Sequence, residues 1–142
     1  MKAQLLHLQW GRAFLTAILV LVLVIIFNAV LGWVTVHVWT QPDQQLMLVQ
    51  FLYWSTFVLQ LLLTVAAGLW LAQNVKRDPP LHGLLMGLFT AIIFLTFSIS
   101  FRDTALVVLI SFVLTVAAGW LGGVLGSRGR QKKLEDGHFE EI

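Results

Sequence analysis

Four histidines, His7, His37, His82 and His138, are the first candidates for holding a metal or a haem. A haem clamped by two histidines inside a membrane needs both at one mid-membrane level. The long apolar stretches of this chain put His7 and His82 at one face, His37 at or above the other and His138 in the C-terminal tail. No metal or other cofactor is therefore expected. With no cysteine there are no thiolate ligands, disulfides or thiol nucleophiles. Serine hydrolysis needs a Ser, a His and a carboxylate at one level, and no Ser has both, so the chain does not read as an enzyme. Ion-coupled transport normally sets charged side chains inside the membrane, and the apolar stretches hold none.

Hydroxyls and amides remain. Thr90, Thr96, Ser98, Ser100, Ser111 and Thr115 offer a polar path along the second half of the chain, although hydroxyls in such helices usually bond to a carbonyl one turn back. Asn28 and Gln60 stand about 22 and 20 Å above one end of their spans at about 1.5 Å per helical residue. This shared depth predicts a hydrogen bond between them across the first and second helices, as structural glue rather than a substrate contact.

The elements that must position these groups follow from hydropathy. The chain is 58% hydrophobic and only 11% charged, with a mean hydropathy of +0.87, too apolar for a soluble core with a polar coat. Four charge-free spans are expected, Ala13 to Trp39, Leu46 to Gln73, Leu81 to Phe101 and Thr104 to Gly126. Each is long enough to cross about 30 Å of hydrocarbon as a helix of about 20 residues. Asp43, Asp78 and Asp103 at the breaks supply N-cap carboxylates. The first span is about twice the length of a signal-peptide apolar region of about 7–15 residues, so it reads as a retained crossing. The expected fold is all-α, an integral membrane four-helix bundle of two helical hairpins over 1–126, followed by a mobile charged tail over 127–142.

Orientation follows from Lys and Arg. Lys2, Arg12, Lys76, Arg77, Arg128, Arg130, Lys132 and Lys133 fall on one side and only Arg102 on the other. The positive-inside rule then makes both termini cytoplasmic. The first two spans hold 27 and 28 residues and the last two 21 and 23, a difference of about 9 Å, so the first hairpin either tilts or projects. Trp33, Tyr53 and Trp54, about 30 Å up, read as an interfacial aromatic belt with Trp39 beyond it. His37 and Gln50 share a level there and are candidates for a hydrogen bond.

Leu63-Thr64-Val65-Ala66-Ala67-Gly68 recurs as Leu114-Thr115-Val116-Ala117-Ala118-Gly119. The two copies run in one direction, as a parallel duplication would, although apolar helices also repeat by chance. Small residues follow at four-residue spacing: Gly68 with Ala72, Gly83 with Gly87 and Ala91, Gly119 with Gly123, and Ala118 with Gly122 and Gly126. Such rows let helix backbones approach closely, within one chain or between chains.

A basic loop, a third span opening His82-Gly83-Leu84-Leu85-Met86-Gly87-Leu88 and a fourth closing Ala117-Ala118-Gly119-Trp120-Leu121-Gly122-Gly123 resemble the YrzE-like family of small bacterial membrane proteins. The resemblance covers about residues 61–130; Ala66-Ala67-Gly68 stands where that family tends to close its second span with Gly-Gly. It implies a four-helix fold with cytoplasmic termini and supplies no active site.

The expected function is a non-catalytic accessory or assembly subunit in a cell membrane, the bacterial inner membrane, packed by small-residue and aromatic faces against other subunits or copies of itself. The alternative is a homo-oligomeric channel or small-solute transporter. Scattered charge and a net charge of +2 give no nucleic-acid-binding face. Because the chain lacks cysteine, single-cysteine variants report topology cleanly. An impermeant maleimide added to intact cells should label Gln44→Cys but leave Lys132→Cys unlabelled until the membrane is broken; the opposite pattern would invert the orientation.

Overall fold

A computed structural model of the chain describes residues 10–38, 45–75, 78–100 and 104–137, which form four helices. They are α1 (Trp10–Val38), α2 (Gln45–Asn74), α3 (Pro79–Ser100) and α4 (Ala105–Gly137), and the described residues contain no strand. By length and composition, all four can cross a membrane, over Trp10–Thr35, Met47–Asn74, Pro79–Thr96 and Ala105–Gly129. Large apolar side chains such as Leu15, Leu62 and Leu106 are exposed along the bundle's outside, as a hydrocarbon solvent requires.

Local chemistry explains the helix ends. Asp78 has φ 47°, in the left-handed region that Asp tolerates better than most residues. Its carbonyl accepts from the N–H of Leu81 at 3.0 Å and of His82 at 3.2 Å, and from the His82 ring Nδ1–H at 3.1 Å. The residue expected to cap α3 therefore starts it through its backbone. α4 starts from Thr104, whose carbonyl accepts the Val108 N–H at 3.1 Å, whereas Asp43 and Asp103 lie outside the described residues. At its other end α4 runs past the expected span end at Gly126, and the helix continues through 127–137. Arg, Gln, Lys and Leu in that stretch are strong helix formers, and neither Gly126 nor Gly129 takes the positive φ of a helix-ending glycine.

α1 packs through Ala13, Ala17, Val20 and Val24, a buried stripe at helical spacing. Ala13 and Ala17 join Leu71, Val75, Leu85 and Met86 in one core cluster. Phe14 and Trp10 set their rings edge-on to Phe89, with centroids 5.5 and 6.3 Å away. The backbones of α2 and α3 each come close to all three other helices, whereas in their described parts no Cα of α1 lies within 8 Å of a Cα of α4.

The closest packing is backbone on backbone. A Cβ added at Gly83 would lie 2.5 Å from the Gly119 carbonyl oxygen and 2.7 Å from Gly123 Cα, and one at Gly119 would lie 2.6 Å from Gly87 Cα. On the other side of α4, a Cβ at Gly68 would meet the Gly119 oxygen at 2.8 Å, and one at Gly126 would meet the Ala72 Cβ at 2.6 Å. A methyl group at Gly122 would strike the Val65 carbonyl. By contrast, nothing lies within 4 Å of a Cβ at Gly32. Gly119→Ala should therefore destabilise the bundle by about 1–3 kcal/mol, and Gly32→Ala should stay within about 0.5 kcal/mol of the parent. Unfolding in mixed micelles of rising dodecyl sulfate fraction, followed by circular dichroism, measures both; equal midpoints would refute the packing account.

Candidate functional site

The helices close tightly at one level and stand apart at another. Each close glycine contact lies on α2 after Gln60, on α3 before Ala91 or on α4 from Thr115 onward. Beyond these three residues, towards the start of α2, the end of α3 and the start of α4, a cavity of about 680 Å³ opens among the four helices. From Val49 to Gln60 its lining runs along twelve residues of α2, about 16 Å of helix at about 1.5 Å rise per residue. Leu21, Val24, Leu52 and Leu95 supply aliphatic wall, and Tyr53, Phe57, Phe94 and Phe112 supply aromatic faces.

Five polar side chains gather in this wedge: Asn28, Thr56, Gln60, Ser111 and Thr115. The Thr56 hydroxyl donates to Asn28 Oδ1 at 2.6 Å, while Asn28 Nδ2 donates to the Val24 carbonyl at 2.9 Å. Gln60 Nε2 donates to Thr115 Oγ1 at 3.3 Å, and that hydroxyl donates to the Ser111 carbonyl at 2.7 Å. Because Thr115 has spent its only proton, it must accept from Gln60, which fixes the orientation of the Gln60 amide. Gln60 is only 5% exposed and Thr115 only 1%.

These contacts correct the expected amide pair. Asn28 and Gln60 do not bond to each other; each crosses to another helix, Asn28 to Thr56 on α2 and Gln60 to Thr115 on α4. Equal depth placed the two amides at one height but left their facing undetermined. Asn28 meets the residue one helical turn before Gln60, and the glycine approach of α2 to α4 brings Thr115 within reach of the longer Gln60 side chain. The repeat carried an unread signal: at its offset of 51, Ser111 is the counterpart of Gln60 and Thr115 of Thr64. Thr64 and Thr115 make the same bond, each hydroxyl to the carbonyl four residues back.

The other candidates separate into three groups. Gly68, Ala72, Gly83, Gly87, Gly119, Gly122, Gly123 and Gly126 face one another within the chain, while Ala118 is buried and Ala91 lines the wedge. The Ala13 and Ala17 pair on α1, buried beside Leu71, Val75, Leu85 and Met86, was not among the expected rows. Trp33 and Trp54 are exposed, at 64% and 62%. Trp33 stacks on His37 at 4.5 Å, and Trp54 meets Tyr53 edge-on at 5.9 Å. Trp39 lies outside the described residues. His37 does not turn to Gln50: its Nδ1 lies 2.8 Å from the Trp33 carbonyl of its own helix. Thr90 and Thr96 likewise donate to carbonyls one turn back, Met86 and Ile92. Those bonds occupy the hydroxyl protons that a polar path would have used.

Comparison with family models, curated proteins and solved structures finds no match to this chain. The wedge must therefore be judged on its own chemistry. The Asn28 and Thr56 bond is open to a double-mutant cycle with Asn28→Leu and Thr56→Val. Its coupling should be about 0.6 kcal/mol and at most about 1.7 kcal/mol, read from unfolding midpoints in mixed micelles; strict additivity would remove the bond.

Proposed function

We propose that this chain is a non-catalytic accessory component of a larger membrane assembly, and that its own contribution is a small-molecule site in the wedge between its helices. The cavity carries the reading. Its volume of about 680 Å³ falls in the range of about 300–1,000 Å³ typical of ligand pockets, and its mix of apolar walls with a few converging polar groups is the usual composition of such pockets. Apart from Tyr53, none of its lining residues is ionisable. Such a lining can hold and orient a molecule but has little means of moving protons at neutral pH.

The glycine faces support a partner role less than their spacing alone suggested, because they are consumed within one chain. Partners are left the lipid-facing side of the bundle, including α1, whose backbone among the described residues comes close to α2 and α3 alone. Cytoplasmic termini and the bacterial inner membrane belong to the same proposal, from the distribution of Lys and Arg and from the resemblance to the YrzE-like proteins. In the alternative, a channel or small-solute carrier, the wedge is one end of a path. That reading requires the helices to part at Gly83, Gly119 and Gly123, where the backbones now touch.

Native mass spectrometry after gentle extraction tests the proposal. The expected result is a chain carrying a small non-protein mass and eluting with other membrane subunits. A bare, lone chain whose liposomes pass small solutes would favour the carrier and overturn the proposal.

A further inference from the structure

We infer that the wedge takes an uncharged, ring-bearing lipid of the quinone class, with its carbonyl oxygens held by Gln60 and Ser111 and its ring between aromatic side chains. This inference rests on the wedge being a binding site and names what fills it.

Charge narrows the field first. No Asp, Glu, Lys, Arg or His lines the cavity, so a phosphate, carboxylate or ammonium headgroup would lose its water and meet no counter-charge. The occupant is neutral.

The open hydrogen-bonding atoms come next. Gln60 Nε2 spends one proton on Thr115, leaving its second proton and Oε1 with no partner among the described residues. No fully buried side-chain nitrogen or oxygen among the described residues lacks a partner. In a side chain only 5% exposed that lines the cavity, Oε1 therefore opens into the wedge, and the second Nε2 proton belongs to the same amide. The Ser111 hydroxyl lines the same space and makes no hydrogen bond with the described residues, whereas the hydroxyls of Thr64, Thr90 and Thr115 each donate to a carbonyl one turn back. An amide proton and a hydroxyl proton, both unspent, suit carbonyl acceptors. An alkane would leave them unanswered, at the cost of two buried donors.

Shape and access complete the case. Tyr53, Phe57, Phe94 and Phe112 are among the residues that line the space, and aromatic rings favour a planar ring over a saturated chain. α1 and α4 both line the wedge, yet in their described parts no Cα of one comes within 8 Å of a Cα of the other. Their separation leaves room for a hydrocarbon tail to run out to the lipid, from which such a molecule would enter.

The test uses the full chain in phosphatidylcholine nanodiscs with three probes, decylubiquinone, dodecanol and oleate, and measures bound probe by solvent extraction. Decylubiquinone should saturate at one per chain. Gln60→Leu and Ser111→Ala should each weaken it about three- to tenfold, the effect of one neutral hydrogen bond. Val108→Trp, which fills the wedge from α4, should abolish its binding, and oleate should not compete. If dodecanol binds as well as the quinone and Gln60→Leu changes neither, the quinone assignment falls while the binding site stands. If no probe saturates, both fall. Circular dichroism checks that each variant folds; should Val108→Trp fail, the near-isosteric Gln60→Leu decides alone.

Discussion

The approach of α4 to α2 and α3 through Gly119 and its neighbours is the contact on which the rest of the bundle depends. Helices in hydrocarbon gain little by hiding apolar side chains from equally apolar lipid, so dispersion contacts and weak polar contacts must hold them together. Both strengthen as the backbones draw closer. Gly68, Gly83, Gly87, Gly119, Gly122 and Gly123 remove the side chains that would keep them apart, and the carbonyl of Gly119 is close to both Gly68 and Gly83. α4 is thereby pinned between two helices at one end.

Pinning one end leaves room at the other. Past Gln60, Ala91 and Thr115 no glycine closes the gap, and bulky Phe57, Phe94 and Phe112 stand where the small residues would have been. The space is bridged by the Asn28 to Thr56 and Gln60 to Thr115 bonds, which fix helix rotation without filling the volume. The tight end and the wedge are thus two consequences of one distribution of side-chain size. α1 joins more loosely, through the Ala13 and Ala17 stripe and the rings around Phe89.

Much of this was legible locally. The four helices could be read from uninterrupted apolar runs, and the glycine spacing marked where backbones would meet. The candidate site was only half legible. Asn28 and Gln60 were visible as polar residues at depth, but Thr115 looked like an ordinary hydroxyl satisfied within its own helix, a bond it does also make, and nothing in the sequence singled out Thr56. The tail's charge suggested solvation, and its residue types also favour the helix that continues through 127–137.

The sequence by itself determined four helices able to span a membrane, because hydrocarbon obliges each segment to satisfy its own backbone hydrogen bonds and local composition records that demand. Only the tertiary structure decided which glycine meets which, that each amide reaches for a hydroxyl instead of the other amide, and that a cavity opens beyond them. Those outcomes depend on the relative rotation and crossing of helices far apart in the chain. No single segment carries that information, since a side chain's depth follows from its position in one helix and its facing follows from all four.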